Sequence, residues 1–310
     1  MYFYLLGEIA VSEMRGIFTI PQTPFDESME INWEEMRREV DFCVEAGAHG
    51  IVMPVLASEF YVLSDEERKK VIDVVADQVN GRIPFVAGIA AVTKEIALIL
   101  GRHGEDAGAD AVIALPPYVG SRSIEDIYDY YSSISRVVDI PIFVQNTSPP
   151  FGSALTPEFI GKMATEIDHI EYLKEETVPC GHSITKIIRY FGDSIKGIFG
   201  GSHGIFMLDE LRRGAAGCMP ACEYTDIHVE IYKQFVKGNE KEARALFNKL
   251  LPLLNMTRAG YGIRLHKEVL KRRGVLESNR MRISSPELDK FDILELEYNI
   301  KEIEPYFKVR

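Results

Sequence analysis

Lys174 is the residue of this sequence best suited to covalent chemistry. It ends a short hydrophobic run at residues 170–174, and Glu175, Glu176 and Thr177 follow it. A buried ammonium group must be paired with an anion or give up its proton, and a neutral lysine amine can attack a ketone to form a Schiff base. We therefore expect chemistry on a carbonyl compound, although single lysines at strand ends are more often simply solvated.

An alternation of strands and helices must position this lysine. Short β-branched runs alternate with longer amphipathic stretches from about residue 16 to about residue 220, which is typical of a parallel sheet covered by helices. The predicted strands are residues 16–20, 50–54, 84–88, 111–115, 141–145, 170–174, 195–199 and 215–219. The predicted helices between them are residues 32–46, 64–79, 93–107, 123–137, 156–165, 182–191 and 205–213.

The repeat of these units predicts the fold. They recur at roughly thirty residues, the size of one βα unit, so the sequence favours an α/β fold with a closed (β/α)8 TIM barrel. A doubly wound open sheet is the rival, but no GxGxxG fingerprint follows the first strand. Later residues show only helical patterns, at 226–237, 240–259, 263–273 and about 286–303. We expect an N-terminal segment (1–15), the barrel (16–224) and a C-terminal helical extension (225–310) packed on the barrel as a single domain.

Composition and charge exclude several function classes. The 47 acidic and 35 basic residues give a formal net charge of -12, which argues against binding to nucleic acid or to an anionic membrane surface. The four cysteines are scattered, which predicts a reducing cytoplasmic location rather than a disulfide framework. The apolar residues at 1–6 are too few to span a bilayer. An apolar stripe at residues 246–254 needs a partner, either the barrel's own flank or a second subunit.

The histidines and cysteines do not predict a metal site. Cys218 and Cys222 have a CxxxC spacing without a second ligand pair, and His182, His203 and His266 lack a metal-binding spacing. Imine chemistry needs no metal and no organic cofactor. We therefore expect neither.

The active site of a TIM barrel lies at the carboxyl ends of its strands. Alternation along the sixth strand places Lys174 and Glu176 on one face, and alternation along the fifth sends Gln145 inward beside them. These three are the catalytic candidates. The substrate-binding candidates come from the loops after strands two, four and seven: Ala57, Ser58, Tyr118, Gly200 and Gly201.

Each candidate also has a structural interpretation. Glu176 could be a salt-bridged carboxylate at the rim, and Ser58 could cap the turn that follows it. Tyr118 could simply pack, as buried tyrosines often do. The Gly200-Gly201 pair lies where many barrels bind phosphate, although close approach of the backbone to an imine would also require glycine.

Several of these segments together resemble the dihydrodipicolinate synthase and N-acetylneuraminate lyase family of class I aldolases. The matching features are a Thr-Pro-Phe run at 23–25, Ser58-Glu59, Pro117-Tyr118, Lys174 in the sixth strand and the helical tail. The resemblance covers about residues 16 to 274. It implies that Lys174 forms an imine with C2 of pyruvate or a longer 2-oxo acid, and that amides around Ala57 and Ser58 hold the carboxylate. It also suggests a homo-oligomer, either a dimer or a tetramer.

The sequence departs from the family pattern where protons are relayed. Residues 55–59 read Val-Leu-Ala-Ser-Glu in place of Gly-Thr-Thr-Gly-Glu, and Gln145 and Val119 replace two tyrosines. The arginine expected in the loop after strand five has no counterpart in Ser-Pro-Pro-Phe at 148–151. The resemblance therefore does not imply dihydrodipicolinate synthase activity itself.

One subset of the family matches this sequence better than the dihydrodipicolinate synthases do. Val144-Gln145 and the Lys174-Glu-Glu176-Thr run are similar to the 2-keto-3-deoxy-L-arabonate dehydratases. A dehydratase needs a base for the C3 proton and an acid for the C4 hydroxyl, and Glu176 could be both in turn. We predict a Schiff-base lyase that dehydrates a 2-keto-3-deoxy sugar acid. The alternatives are retro-aldol cleavage or condensation with pyruvate, and a non-catalytic 2-oxo acid sensor.

Overall fold

The chain folds as a closed barrel of parallel strands. A computed structural model describes residues 13–120, 122–149 and 152–309. Within these residues eight parallel strands hydrogen-bond in sequence order, and β8 closes on β1. They are β1 Gly16–Thr19, β2 Gly50–Met53, β3 Phe85–Gly88, β4 Ala111–Ala114, β5 Ile142–Asn146, β6 Ile170–Glu175, β7 Gly197–Gly200 and β8 Gly217–Cys218. The predicted TIM barrel is confirmed, and the open sheet is excluded. Most of the predicted segment 1–15 lies outside the described residues.

The sixth strand is longer than predicted. It continues one residue past Lys174 because Glu175 is in register with Asn146 of β5 and Gly200 of β7. Neighbouring strands thus support the backbone on both sides up to the end of β6. The seventh and eighth strands are shorter at their start than predicted, beginning at Gly197 and Gly217.

Each strand is followed by the helix that the sequence predicts. The helices around the barrel are α1 Trp33–Glu45, α2 Asp65–Val79, α3 Lys94–Asp106, α4 Ile124–Ser135, α5 Pro157–Glu166, α6 Cys180–Phe191 and α7 Met207–Arg212. Helices α1 to α5 are each preceded by a residue whose side chain caps the first turn. Ser64 accepts from the amide of Glu67 while the Glu67 carboxylate accepts from the amide of Ser64, which satisfies amides that the helix itself cannot.

The tail adds α8 Thr225–Val236, α9 Glu240–Met256, α10 Gly262–Arg272 and α11 Lys290–Ile303. A wide turn at Thr257–Tyr261 separates α9 from α10, and Gly260 and Gly262 have φ of 120° and 48° there. Such positive φ values favour glycine. The apolar stripe of α9 is buried in one cluster with Ile17 and Met207, so its partner is the barrel's own flank. No helix of the described residues has the length and apolarity needed to cross a membrane.

Aromatic side chains fill the interior of the barrel. Phe143 and Tyr172 stack with ring centroids 4.6 Å apart, and Phe18 meets Phe199 edge to face at 5.0 Å. All four side chains are buried. Since Tyr172 precedes Lys174 by two residues on the same inward face, this apolar layer lies directly beneath the lysine.

Candidate active site

A cavity of about 260 Å³ opens at the carboxyl ends of the strands. Gln145, Lys174 and Glu176 line it, as does Ala57 from the loop after β2. Its other lining residues are Ile20, Leu56, Tyr61, Thr147, Ser202, His203, Met219, Ala221, Gly262 and Ile263. The three predicted catalytic candidates are therefore together in one cavity with one of the five substrate-binding candidates.

Lys174 points into this cavity from the end of β6. Its side chain is buried, with only 5% of its surface exposed, and its Nζ lies 3.3 Å from Oε2 of Glu176. In the barrel register Lys174 stands between Gln145 of β5 and Phe199 of β7. The inward direction follows from strand alternation, because Tyr172 on the same face is also buried inside the barrel.

Three groups hold the Glu176 carboxylate. Its Oε2 accepts a hydrogen bond from Nε2 of Gln145 at 2.7 Å, and its Oε1 accepts from the amide of Ser202 at 2.8 Å. Burial raises the pKa of Glu176, but the charge of Lys174 and the hydrogen bonds from Ser202 and Gln145 outweigh it and lower the pKa below the ordinary 4.5. Glu176 is therefore a carboxylate at neutral pH, adjacent to the lysine amine.

Glu175 faces the other way. Its carboxylate accepts hydrogen bonds from Asn146 Nδ2 at 2.9 Å, Ser183 Oγ at 2.8 Å and the amide of Thr177 at 2.7 Å. Burial raises the pKa of Glu175. This carboxylate fixes the end of β6 to β5 and α6, and it lies outside the cavity lining.

The loop after β2 forms a tight turn at Leu56–Ser58. The hydroxyl of Ser58 accepts from the amide of Val55 at 3.3 Å, and the amide of Ser58 donates to the carbonyl of Val55 at 2.9 Å. Thr23 in turn donates its hydroxyl proton to the carbonyl of Ser58 at 2.5 Å. Ser58 is fully buried and does not line the cavity, whereas Ala57 does.

Tyr118, Gly200 and Gly201 do not line the cavity. Tyr118 packs edge to face on Phe60 at 5.5 Å, and burial raises the pKa of its hydroxyl. A Cβ at Gly201 would lie 2.2 Å from Oε1 of Glu176. Glycine at position 201 thus makes room for the Glu176 carboxylate.

A Cβ at Gly200 would be still more crowded, at 1.8 Å from Oε2 of Glu210. That carboxylate is buried behind β7, and burial raises its pKa to about 8. Glycine at position 200 thus makes room for the Glu210 carboxylate, whereas glycine at position 201 makes room for Glu176.

His203 also lines the cavity, although its place in the sequence suggested neither a metal ligand nor a substrate contact. Its backbone has φ of 60°, and its ring lies 4.9 Å from the ring of His266. His266 Nδ1 is 2.6 Å from Oε1 of Glu223, and both of these side chains are buried. Burial lowers the pKa of His203 to about 3, so its imidazole is neutral at physiological pH. Spacing along the chain carried no signal for this contact.

The described part of the chain holds no cluster of three or more His, Cys, Asp or Glu side chains that could bind a metal ion. The polar side chains at the cavity instead supply an amine, a carboxylate, an amide, an imidazole and the hydroxyls of Tyr61, Thr147 and Ser202. Such a set suits imine formation and proton transfer.

The sequence matches the model of the Dihydrodipicolinate synthetase family over residues 13–303. The chain belongs to this family. An L-2-keto-3-deoxyarabonate dehydratase from Azospirillum brasilense is 32% identical over 277 residues, which cover 88% of this chain and 89% of that one. A 4-hydroxy-tetrahydrodipicolinate synthase from Methanopyrus kandleri is 31% identical over 246 residues, covering 78% and 80%.

A solved structure has the same fold. The dihydrodipicolinate synthase from Rhodopseudomonas palustris superimposes with a TM-score of 0.87 at 27% identity and covers 94% of this chain and 98% of that one. The family resemblance inferred from the sequence is confirmed. The enzyme is a lyase of the dihydrodipicolinate synthetase family.

Proposed function

We propose that this lyase forms a Schiff base between Lys174 and C2 of a 2-oxo acid, and that it dehydrates a 2-keto-3-deoxy sugar acid. The observation that carries the proposal is the 3.3 Å contact between Lys174 Nζ and Glu176 Oε2 inside the cavity. A single carboxylate next to the amine is suited to every proton transfer of a dehydration. The 32% identity to an L-2-keto-3-deoxyarabonate dehydratase supports the same choice.

Imine formation begins with a proton moving from Lys174 to Glu176. The neutral amine adds to the C2 carbonyl of the substrate, and a carbinolamine results. The Glu176 carboxyl group then protonates the departing hydroxyl, water leaves, and an iminium ion on Lys174 faces a Glu176 carboxylate. The apolar layer formed by Phe143, Tyr172 and Phe199 keeps water from below the reacting atoms.

Dehydration uses the same carboxylate twice. Glu176 removes a C3 proton, and the electron pair moves toward the iminium nitrogen to give an enamine. The protonated Glu176 then donates to the C4 hydroxyl, which leaves as water while the enamine electrons form the C3–C4 double bond. For a 2-keto-3-deoxy pentonate, tautomerisation of the resulting unsaturated iminium ion then moves one proton from C5 and one from its hydroxyl to C3 and C4, which forms the C5 aldehyde. Hydrolysis of the iminium ion releases the semialdehyde and regenerates the Lys174 amine.

The substrate carboxylate fits best at the turn after β2. Leu56 and Ala57 line the cavity there, and the hydrogen bonds of Ser58 within the turn fix its backbone. The proposed carboxylate contact is therefore assigned to the backbone around Ala57, with Ser58 shaping the turn. Gln145 holds Glu176 in place by donating to it at 2.7 Å.

Condensation or retro-aldol cleavage with pyruvate is the second candidate. It is favoured by the 31% identity to a 4-hydroxy-tetrahydrodipicolinate synthase. One observation argues against it. Gln145 lies beside Lys174 at the end of β5, where the family pattern has a tyrosine, and a carboxamide does not transfer protons at neutral pH as a tyrosine hydroxyl can. For this reason dehydration is preferred.

Borohydride trapping tests the proposal. With pyruvate or a 2-keto-3-deoxy pentonate present, reduction should attach the substrate carbons to Lys174, and peptide mass spectrometry should locate them. Lys196, an exposed lysine paired with Glu171, serves as the matched control: Lys196→Ala should be trapped normally and Lys174→Ala not at all. Product analysis then separates the reactions, since a semialdehyde indicates dehydration and pyruvate indicates cleavage. Trapping without turnover across a panel of sugar acids would favour a sensor.

The cytoplasmic location, the dimeric or tetrameric state and the boundaries at residues 15 and 224 stay predictions. Light scattering of the purified protein would determine the oligomeric state. A mass of about one chain in solution would contradict the predicted homo-oligomer.

A further inference from the structure

A buried ion pair lies behind the turn that faces the substrate. Lys267 of α10 pairs with Glu59, and neither side chain has any exposed surface. Lys267 Nζ also donates to the carbonyl of Arg280 at 2.7 Å and lies 4.6 Å from the centre of the Phe25 ring. Removing two charges from water is costly, and their attraction offsets that cost only where the geometry is good and further hydrogen bonds are made, as the bond to Arg280 is here.

Glu59 holds an unusual backbone position between two turns. It has φ of 59° and ψ of 31°, a left-handed conformation that residues other than glycine adopt only when their surroundings hold them there. The turn before it, Leu56–Ser58, places Leu56 and Ala57 at the cavity. The turn after it, Phe60–Val62, places Tyr61 there. The direction of both turns therefore depends on the conformation at Glu59.

Lys267 belongs to a helix that is itself fixed at the cavity mouth. Gly262 and Ile263 at the start of α10 line the cavity. The adjacent residue His266 is paired with Glu223 and lies against His203. The ammonium group of Lys267 is thus held in a constant position relative to the site, so it can serve as an anchor for Glu59.

We propose that Lys267 is a positioning residue which, through Glu59, sets the affinity of the Leu56–Ser58 turn for the carboxylate of the substrate. This inference rests on the proposed function, in which that turn receives the carboxylate of a 2-oxo acid joined to Lys174. Lys267 itself touches neither the substrate nor the reacting atoms. Its loss should therefore weaken substrate binding and leave the chemical step largely intact.

The test compares two charge-removing variants in the full-length protein. Lys267→Met removes the anchor, and the double variant Glu59→Gln/Lys267→Met removes both charges. Because the double variant leaves no unpaired buried charge, it should fold even if the single variant does not. The matched control is Arg273→Met, which breaks the buried Arg273–Asp226 pair in the same tail, away from the cavity lining.

The readout is the pyruvate concentration that half-saturates borohydride inactivation, together with KM and kcat for the sugar acid. Both Lys267 variants should raise the half-saturating concentration and KM by roughly tenfold, which corresponds to one charge-assisted contact, while kcat changes by less than about threefold. Arg273→Met should lower the melting temperature and leave the half-saturating concentration unchanged.

Two results would overturn this inference without affecting the proposed function. One is a folded double variant, checked by circular dichroism, with the half-saturating concentration of the wild type. The other is an equal rise in Arg273→Met, since the effect would then be a general loosening of the tail. If pyruvate and borohydride leave the wild-type lysine unmodified, the proposed function and this inference are both wrong.

Discussion

Replacing Glu176 by glutamine changes the chemistry of the site with little change in shape. The carboxylate accepts from Gln145 and Ser202 and lies 3.3 Å from the Lys174 amine. A glutamine carbonyl oxygen can still accept from the Ser202 amide. Its NH2 group would then face the Gln145 amide, which can turn over to present its own oxygen. The variant should therefore fold, while Lys174 loses its neighbouring charge and its proton acceptor.

The size of the effect follows from the role assigned to Glu176. A positioned general acid or base contributes about 10²- to 10⁴-fold to the rate. Since each tenfold change in rate corresponds to about 1.4 kcal/mol, the barrier to dehydration should rise by about 3 to 6 kcal/mol. We expect this loss in kcat, whereas KM should change by only a few fold because the proposed carboxylate contact lies at the turn around Ala57.

The assay is the rate of semialdehyde formation from 2-keto-3-deoxy-L-arabonate, with borohydride trapping of pyruvate measured in parallel. Glu175→Gln is the matched control because Glu175 is the adjacent buried carboxylate and faces α6. It should lose stability and keep kcat within about threefold. A Glu176→Gln variant that turns over at nearly the wild-type rate would refute the assignment, as would an equal loss in Glu175→Gln.

Three further outcomes are expected. Gly201→Ala should lower both kcat and the rate of pyruvate trapping at least tenfold, because its Cβ would lie 2.2 Å from the Glu176 carboxylate, which serves both steps. We propose that the neutral imidazole of His203, which lines the cavity, hydrogen-bonds a substrate hydroxyl. His203→Ala should therefore lower kcat/KM for the sugar acid by roughly tenfold at pH 7, the value of one lost hydrogen bond. The hydrogen bonds from Arg282 lower the pKa of Glu67 to about 2, so this group stabilises the fold above about pH 4.5 and the stability is lost as the pH falls toward 2. The melting temperature of Glu67→Gln should therefore depend less on pH over that range.

Each of these outcomes has a control. Gly192→Ala should be neutral, because position 192 has helical φ of -58° and a Cβ there meets only the Ile188 side chain at 4.0 Å. His182→Ala, at an exposed helix position, should leave kcat/KM unchanged. If the melting temperatures of wild type and Glu67→Gln fall equally as the pH is lowered, the ion pair between Glu67 and Arg282 adds no pH-dependent stability.

The inward positions of the strands could be predicted from the sequence because the geometry of a strand has a period of two. Once residues 170–174 are a strand, Lys174 and Glu176 must share a face, and the observed 3.3 Å contact agrees. The same parity placed Gln145 next to them, as its register with Lys174 shows. The order of strands and helices could also be predicted from the sequence. Each βα unit is a local pattern, and the strands of neighbouring units pair in sequence order.

Which loop residues line the cavity could not be predicted, because their positions depend on contacts between residues that are distant in the sequence. The substrate contact of Ser58 stays a prediction, and in the structure its hydroxyl and amide bond within their own turn. Glu59, with a left-handed backbone, lies between the two turns that carry Leu56, Ala57 and Tyr61 to the cavity. His203 lines the cavity against His266, more than sixty positions further along the chain.

Lys267 illustrates the same limit most clearly. In the sequence it is one of several basic residues on an amphipathic helix, and such residues are usually solvated. In the structure it has no exposed surface and pairs with Glu59, 208 positions before it. Periodicity determines the face of an element on which a side chain lies. Only the packing of distant elements against one another determines what that face meets.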